Sequence, residues 1–105
     1  MKEILELVIP GEMRSAVGNR ERAEFEFTKV LGEDISQEEV FDTVAARVVT
    51  DCLHGCNGTI FAYGQTGSGK THTMTGGESF EDRGIAPRVI GRFFREIREA
   101  EEADS

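Results

Sequence analysis

The run "TIFAYGQTGSGKTHTM", Thr59 to Met74, constrains this chain more than any other stretch. Its opening segment, Thr59 to Tyr63, is apolar on both alternating faces, the pattern of a strand covered on both sides in a parallel sheet. A glycine-rich turn follows at once, and "KTHTM" then opens a helix. The turn, "GQTGSGKT", fits G-x-x-x-x-G-K-[ST] at Gly64, Gly69, Lys70 and Thr71. Helix, buried strand, phosphate turn and helix form one repeat of a doubly wound sheet. The fold class expected is therefore α/β, a partial P-loop NTPase fold with short antiparallel strands at the N-terminus.

Each position in the turn has a chemical task. Glycines at 64, 67 and 69 let the backbone fold tightly, so that the amides from Gly67 to Thr71 converge on phosphate oxygens. A helix starting near Lys70 adds the positive end of its dipole. Lys70 reaches the β- and γ-phosphates as a point charge, and the Thr71 hydroxyl completes Mg²⁺ coordination. ATP and Mg²⁺ are the expected cofactors. The bland reading, a glycine-rich loop with no ligand, is opposed by the position of the loop between a strand and a helix.

The rest of the chain supplies a scaffold. "ILELVIP" (Ile4 to Pro10) and "EFEFTKVL" (Glu24 to Leu31) read as strands, with Phe25 and Phe27 turned inward and a loop or loose hairpin connection between them. "ISQEEVFDTVAARVVTDCLHG" reads as one helix, capped by Ser36 with Glu39 closing a capping box, and with Ile35 stapled to Val40. Val40, Phe41, Val44, Ala45, Val48 and Cys52 share its apolar stripe, and Gly55 stops it. "TGGESFEDRG" interrupts the helix after the phosphate turn. "IAPRVIGRFFREIREAEEADS" restarts a helix with Pro87 in its first turn, an apolar face of Ile85, Val89, Ile90, Phe93, Phe94 and Ile97, and an acidic end that frays. Arg92, Arg95 and Arg98 read as an exposed face with helical ion pairs. Cys52, His54 and Cys56 lack a second pair of ligands and read as structural, not as a metal site.

Charge narrows the partners. A net charge of −8 over 105 residues argues against nucleic acid or an anionic membrane, since both require a basic surface. No apolar run approaches the roughly 20 residues that span a bilayer. Two cysteines do not make a disulfide framework, which points to a reducing, intracellular setting.

"GCNGTIFAYGQTGSGKTHTM", Gly55 to Met74, resembles the nucleotide-binding segment of kinesin motor domains almost letter for letter. The resemblance extends back through "SQEEVFDTVA" to "FEFTKVLG" and forward to "RGIAPRVIGRFF". It divides the chain into a divergent N-terminal part (1–24), a kinesin-like segment (25–97) and an acidic end (98–105). What it implies is that Gly64, Gln65, Thr66, Gly67, Ser68, Gly69, Lys70 and Thr71 wrap the phosphates, Thr71 meets Mg²⁺, and His72 lies against the adenine. It also implies microtubules as the partner, through parts of the family domain mostly absent here, and a location in the cytoplasm and cytoskeleton. "SFEDRGIAPR" is similar to a ciliary kinesin subfamily, which adds a cilium or flagellum to that expectation.

The departures shape the functional expectation. The family's Arg-x-Arg-Pro adenine clamp does not precede Phe25, and the Asn-x-x-Ser-Ser-Arg-Ser-His and Asp-Leu-Ala-Gly switches do not occur. None of Asp34, Asp42, Asp51 and Asp82 ends an apolar strand, where a second metal-holding carboxylate belongs. The chain is therefore expected to be a fragment or truncated form of a kinesin motor, its ATP-binding segment, which binds nucleotide poorly and does not turn it over at a motor-like rate. The alternative is a non-motor nucleotide-binding or inert protein.

Overall fold

Alternation in "EILELV" and "RAEFEF" sets the first piece of structure, seen in a computed structural model that describes residues 2–104. Strands β1 (Glu3–Val8) and β2 (Arg22–Phe27) pair antiparallel, with Glu3 opposite Phe27 and Val8 opposite Arg22. This register sets Glu6 directly across from Glu24, a like-charge pair that costs stability. Arg22, on the same face, offsets that cost through an ion pair with Glu6 at 3.1 Å. The segment between them is the hairpin connection, one of the two alternatives expected there, and it contains a 3-10 helix, Gly11–Val17. It ends at Gly18 and Asn19, whose left-handed φ angles of 73° and 61° turn the chain into β2.

β2 stops at Phe27, short of the expected Leu31. The Glu3 carboxylate draws the following residues aside, accepting from the Val30 amide at 2.7 Å and pairing with Lys29 at 3.7 Å. Phe25 and Phe27 are not turned inward; both are exposed, as are Ile4, Leu5, Leu7 and Val8. A two-stranded ribbon with one short connection has no second layer to bury them. The hairpin belongs to a unit that ends at Glu33; a second unit begins at Asp34.

In the second unit, helix α1 (Gln37–Val44) starts where the capping chemistry places it. The Ser36 hydroxyl oxygen accepts from the Glu39 amide at 3.1 Å and donates to the Glu39 carboxylate at 3.2 Å. The expected single helix is broken at Ala45, whose φ of −114° separates α1 from α2 (Ala46–Leu53). The break alters the predicted stripe: Val44 is exposed, while Val49, which the stripe omitted, is 2% exposed. Val40, Phe41, Ala45, Val49 and Ile85 make up the buried core.

Helix α4 (Ile85–Asp104) packs against α1 and α2. Of its predicted apolar face, only the row Ile85, Val89 and Phe93 is turned inward; Ile90, Phe94 and Ile97 are exposed. Arg92 is not on an exposed face. It is half-buried and donates to the Ala46 carbonyl at 3.1 Å and to the Thr50 hydroxyl at 2.8 Å, fastening α4 to α2. It also keeps the expected i,i+4 partner, Glu96, at 3.7 Å. The acidic end is helical through Asp104, where Ala100 and Ala103 favour helix; Ser105 lies outside the described residues.

The predicted buried parallel strand is not formed. Thr59 to Tyr63 pairs with no strand, and Phe61 and Tyr63 are 75% and 83% exposed. A β-strand exists only through pairing, and β1 and β2 are the only strands among the described residues. Ile60 alone in this segment is half-buried, facing Val48, Val49 and Cys52 across a small apolar cavity. No helix among the described residues is long and apolar enough to cross a membrane.

Candidate functional site

The phosphate-loop sequence folds into a turn that hands directly into helix α3 (Lys70–Met74). The Ser68 amide donates to the Gln65 carbonyl at 3.0 Å, closing the turn. Gly67 and Gly69 have φ of 84° and 103°, a backbone region that residues with a Cβ rarely adopt. At Gly64 an added Cβ would come within 2.6 Å of the Ser68 hydroxyl, which would have to rotate aside.

The turn and the first residues of α3 line a concavity of about 420 Å³, formed by Thr66, Gly67, Gly69, Lys70, Thr71 and His72. Gly64, Gln65 and Ser68, the other residues expected at the site, build the turn behind it. Lys70 is half-buried, while Thr71 and His72 are exposed. The Thr73 amide is the first of this helix to reach back to a carbonyl, that of Gly69 at 3.0 Å. The amides of Lys70, Thr71 and His72 therefore remain as donors at the mouth of the helix. A helix of 5 residues has little macrodipole, so the electrostatics rest on Lys70 and individual N–H groups rather than on the dipole the sequence suggested.

These groups suit an oligophosphate, with one ammonium and several N–H donors facing anionic oxygens. They suit Mg²⁺ as a partner of the phosphates. Thr71 offers a single oxygen, and Mg²⁺ characteristically takes one or two protein ligands and completes its shell with phosphate and water. Among the described residues no group of His, Cys, Asp and Glu could hold a metal by itself. Cys52 packs beside Gly58, where an added Cβ would sit 3.2 Å from its sulfur.

Behind the site, the segment after α3 folds tightly back. Thr75 and Gly76 amides both donate to the Thr71 carbonyl, at 2.8 and 3.0 Å. Gly76 pairs with Arg83 in an isolated bridge, Gly77 donates to Asp82 at 2.9 Å, and Gly84 donates to Thr75 at 3.0 Å. Arg83 lies over the Phe80 ring at 3.7 Å, while Arg88 donates to the carbonyls of Arg83 and Glu81. The interrupting loop is thus a small hydrogen-bonded fold. Sequence reasoning missed one residue that touches the site's frame. Gln37, in the first turn of α1, donates to the His72 carbonyl at 2.7 Å. No motif marks it, because its partners lie 35 and 45 positions downstream.

Comparison with known proteins gives a consistent result. The family model for the kinesin motor domain matches residues 9–105. The chain is 43% identical over 101 residues to the Kinesin-like protein KIF9 of Homo sapiens, covering 93% of this chain and 13% of the relative. It is 53% identical over 74 residues to the Kinesin heavy chain of Doryteuthis pealeii, covering 70% of this chain and 8% of the relative. It is 49% identical over 79 residues to the Kinesin-like protein KLP1 of Chlamydomonas reinhardtii, covering 74% of this chain and 10% of the relative.

Proposed function

We propose, from the premise that this chain belongs to the kinesin motor-domain family, that it is the ATP-binding segment of a microtubule motor. Membership carries with it the P-loop NTPase fold, of which these residues contribute the phosphate loop and its flanking helices. The observation that supports the reading best is the concavity at 66–72, where Lys70 and the leftover amides of α3 lie together. In this reading Gly64 to Thr71 surround the β- and γ-phosphates, Lys70 balances their charge, and His72 meets the adenine. The Thr71 hydroxyl would hold Mg²⁺, which, when bound with the nucleotide, neutralises charge between its phosphates.

Hydrolysis and microtubule binding are proposed for the complete family domain rather than for these residues. The nucleophile-positioning and γ-phosphate-sensing motifs do not occur in the 105 residues, and the net charge of −8 opposes contact with an acidic track. A cytoskeletal, microtubule-associated location follows for such a motor, with cilia or flagella as the finer proposal. The domain division proposed is a divergent N-terminal part at 1–24, the kinesin-like segment at 25–97 and an acidic end at 98–105.

Metal dependence tests the reading. Fluorescent ATP titrated into the chain should bind about tenfold more tightly with Mg²⁺ than with EDTA, a difference of about 1.4 kcal/mol. Thr71→Val should abolish that difference. Equal affinity of the unsubstituted chain with and without Mg²⁺ would remove Thr71 from its role.

A further inference from the structure

We infer that Gln37 is a positioning residue for the phosphate loop, acting as a cap on α3 supplied from another helix. The inference rests on the nucleotide-binding reading for its consequence, but on hydrogen bonding for its mechanism. Helix α3 has only 5 residues, too few for stability of its own, and it carries both Lys70 and Thr71. Its orientation depends on what holds its far end, where Met74 also borders an apolar cavity shared with Ile85 and Val89 of α4. There the Thr71 carbonyl is doubly occupied, accepting from Thr75 and Gly76, so the chain turns before Gly76 can bond His72 in helical fashion. The His72 carbonyl is left as one of the orphan acceptors of a helix C-terminus.

Gln37 fills that position. Its side-chain Nε2 donates to the His72 carbonyl at 2.7 Å and to the Asp82 carbonyl at 3.1 Å. Both neighbours are acceptors, so only the amide nitrogen fits there, and the orientation of the side chain follows from the chemistry. Asp82 in turn accepts from Gly77 at 2.9 Å, within the loop that follows α3. One side-chain amide therefore joins three pieces: the first turn of α1, the end of the phosphate-loop helix and the interrupting loop. Ser36, the cap of α1, is its immediate neighbour, so the residue that starts one helix adjoins the one that finishes another. Because His72 is both the capped residue and the proposed adenine contact, loosening this cap would displace the base site together with Lys70.

A Gln37→Glu exchange separates this role from a contribution to α1 alone. An acid in the first turn of α1 favours that helix through its dipole. The same carboxylate has no donor and faces two carbonyl oxygens, so it opens the clamp. In the nucleotide-free chain, amide hydrogen exchange at Thr73, Thr75, Gly76 and Gly84 should accelerate about tenfold, with Val49 unchanged. Gln37→Met, which keeps the length and removes the donor, should behave alike. Fluorescent ADP affinity should fall about fivefold in both. Unchanged exchange at those four amides overturns the inference, as does equal acceleration at Val49, which would mean general loosening. If the unsubstituted chain fails to bind ADP while the exchange pattern holds, the clamp stands and the nucleotide reading falls.

Discussion

Lys70→Ala is expected to weaken ATP binding about a hundredfold, roughly 3 kcal/mol, while leaving the fold in place. The lysine stem lies against Gly64, where an added Cβ would be 3.9 Å from its Cγ, and Lys70 lines the concavity with Thr71 and His72. Among the described residues no carboxylate forms an ion pair with it. Its charge is not spent on structure, so its loss should fall on the ligand. Melting of the nucleotide-free variant should therefore match the unsubstituted chain, while fluorescence titration with labelled ATP shows the loss. Retained affinity would show that the ligand is held elsewhere.

The largest effect on stability is expected from Gly76→Ala. Gly76 has φ of 76°, and an added Cβ would collide with backbone atoms of Asp82, Arg83 and Gly84. None of these can rotate away as a side-chain tip could. The substitution should cost roughly 3 kcal/mol, combining left-handed strain with displacement of the bridge to Arg83. In a chain whose buried core is Val40, Phe41, Ala45, Val49 and Ile85, that is a large share of the total stability. Gly11→Ala serves as the control, since its added Cβ meets nothing within 4 Å and its backbone has no left-handed φ. Urea denaturation compares the two; a Gly76→Ala change under about 0.5 kcal/mol would mean that the loop yields at little cost.

What was legible in the sequence is what depends on nearby residues. The Ser36 cap, the start of α3 at Lys70, the interruption before Gly84 and Pro87 in the first turn of α4 are all set by backbone rules over a few positions. Thr59 to Tyr63 was misread because strand propensity describes a residue's fitness for a sheet, and the sheet itself must come from partners. The apolar rows of α4 and of the hairpin were misread for the same reason: the pattern identifies surfaces suited to burial without supplying what covers them. Near the candidate site, the tight turn and its passage into α3 were legible because glycines carry their backbone freedom in their type. Gln37 and Arg92 were not, since each is defined by a carbonyl far along the chain.

The relatives extend far beyond this chain, which spans 13% or less of the length of each of the three compared above. The exposed Phe61, Tyr63 and Phe94 are apolar side chains of the kind that a larger domain would bury.

The most direct measurement is an amide ¹H–¹⁵N spectrum of the folded chain titrated with Mg²⁺ and ADP. If Gly67, Gly69, Lys70, Thr71 and His72 donate to phosphate, their signals should move together, saturate at one affinity and, in Lys70→Ala, need about a hundredfold more nucleotide to do so. Signals that do not respond at nucleotide concentrations well above the micromolar range, while the rest of the spectrum reports an intact fold, would contradict the account.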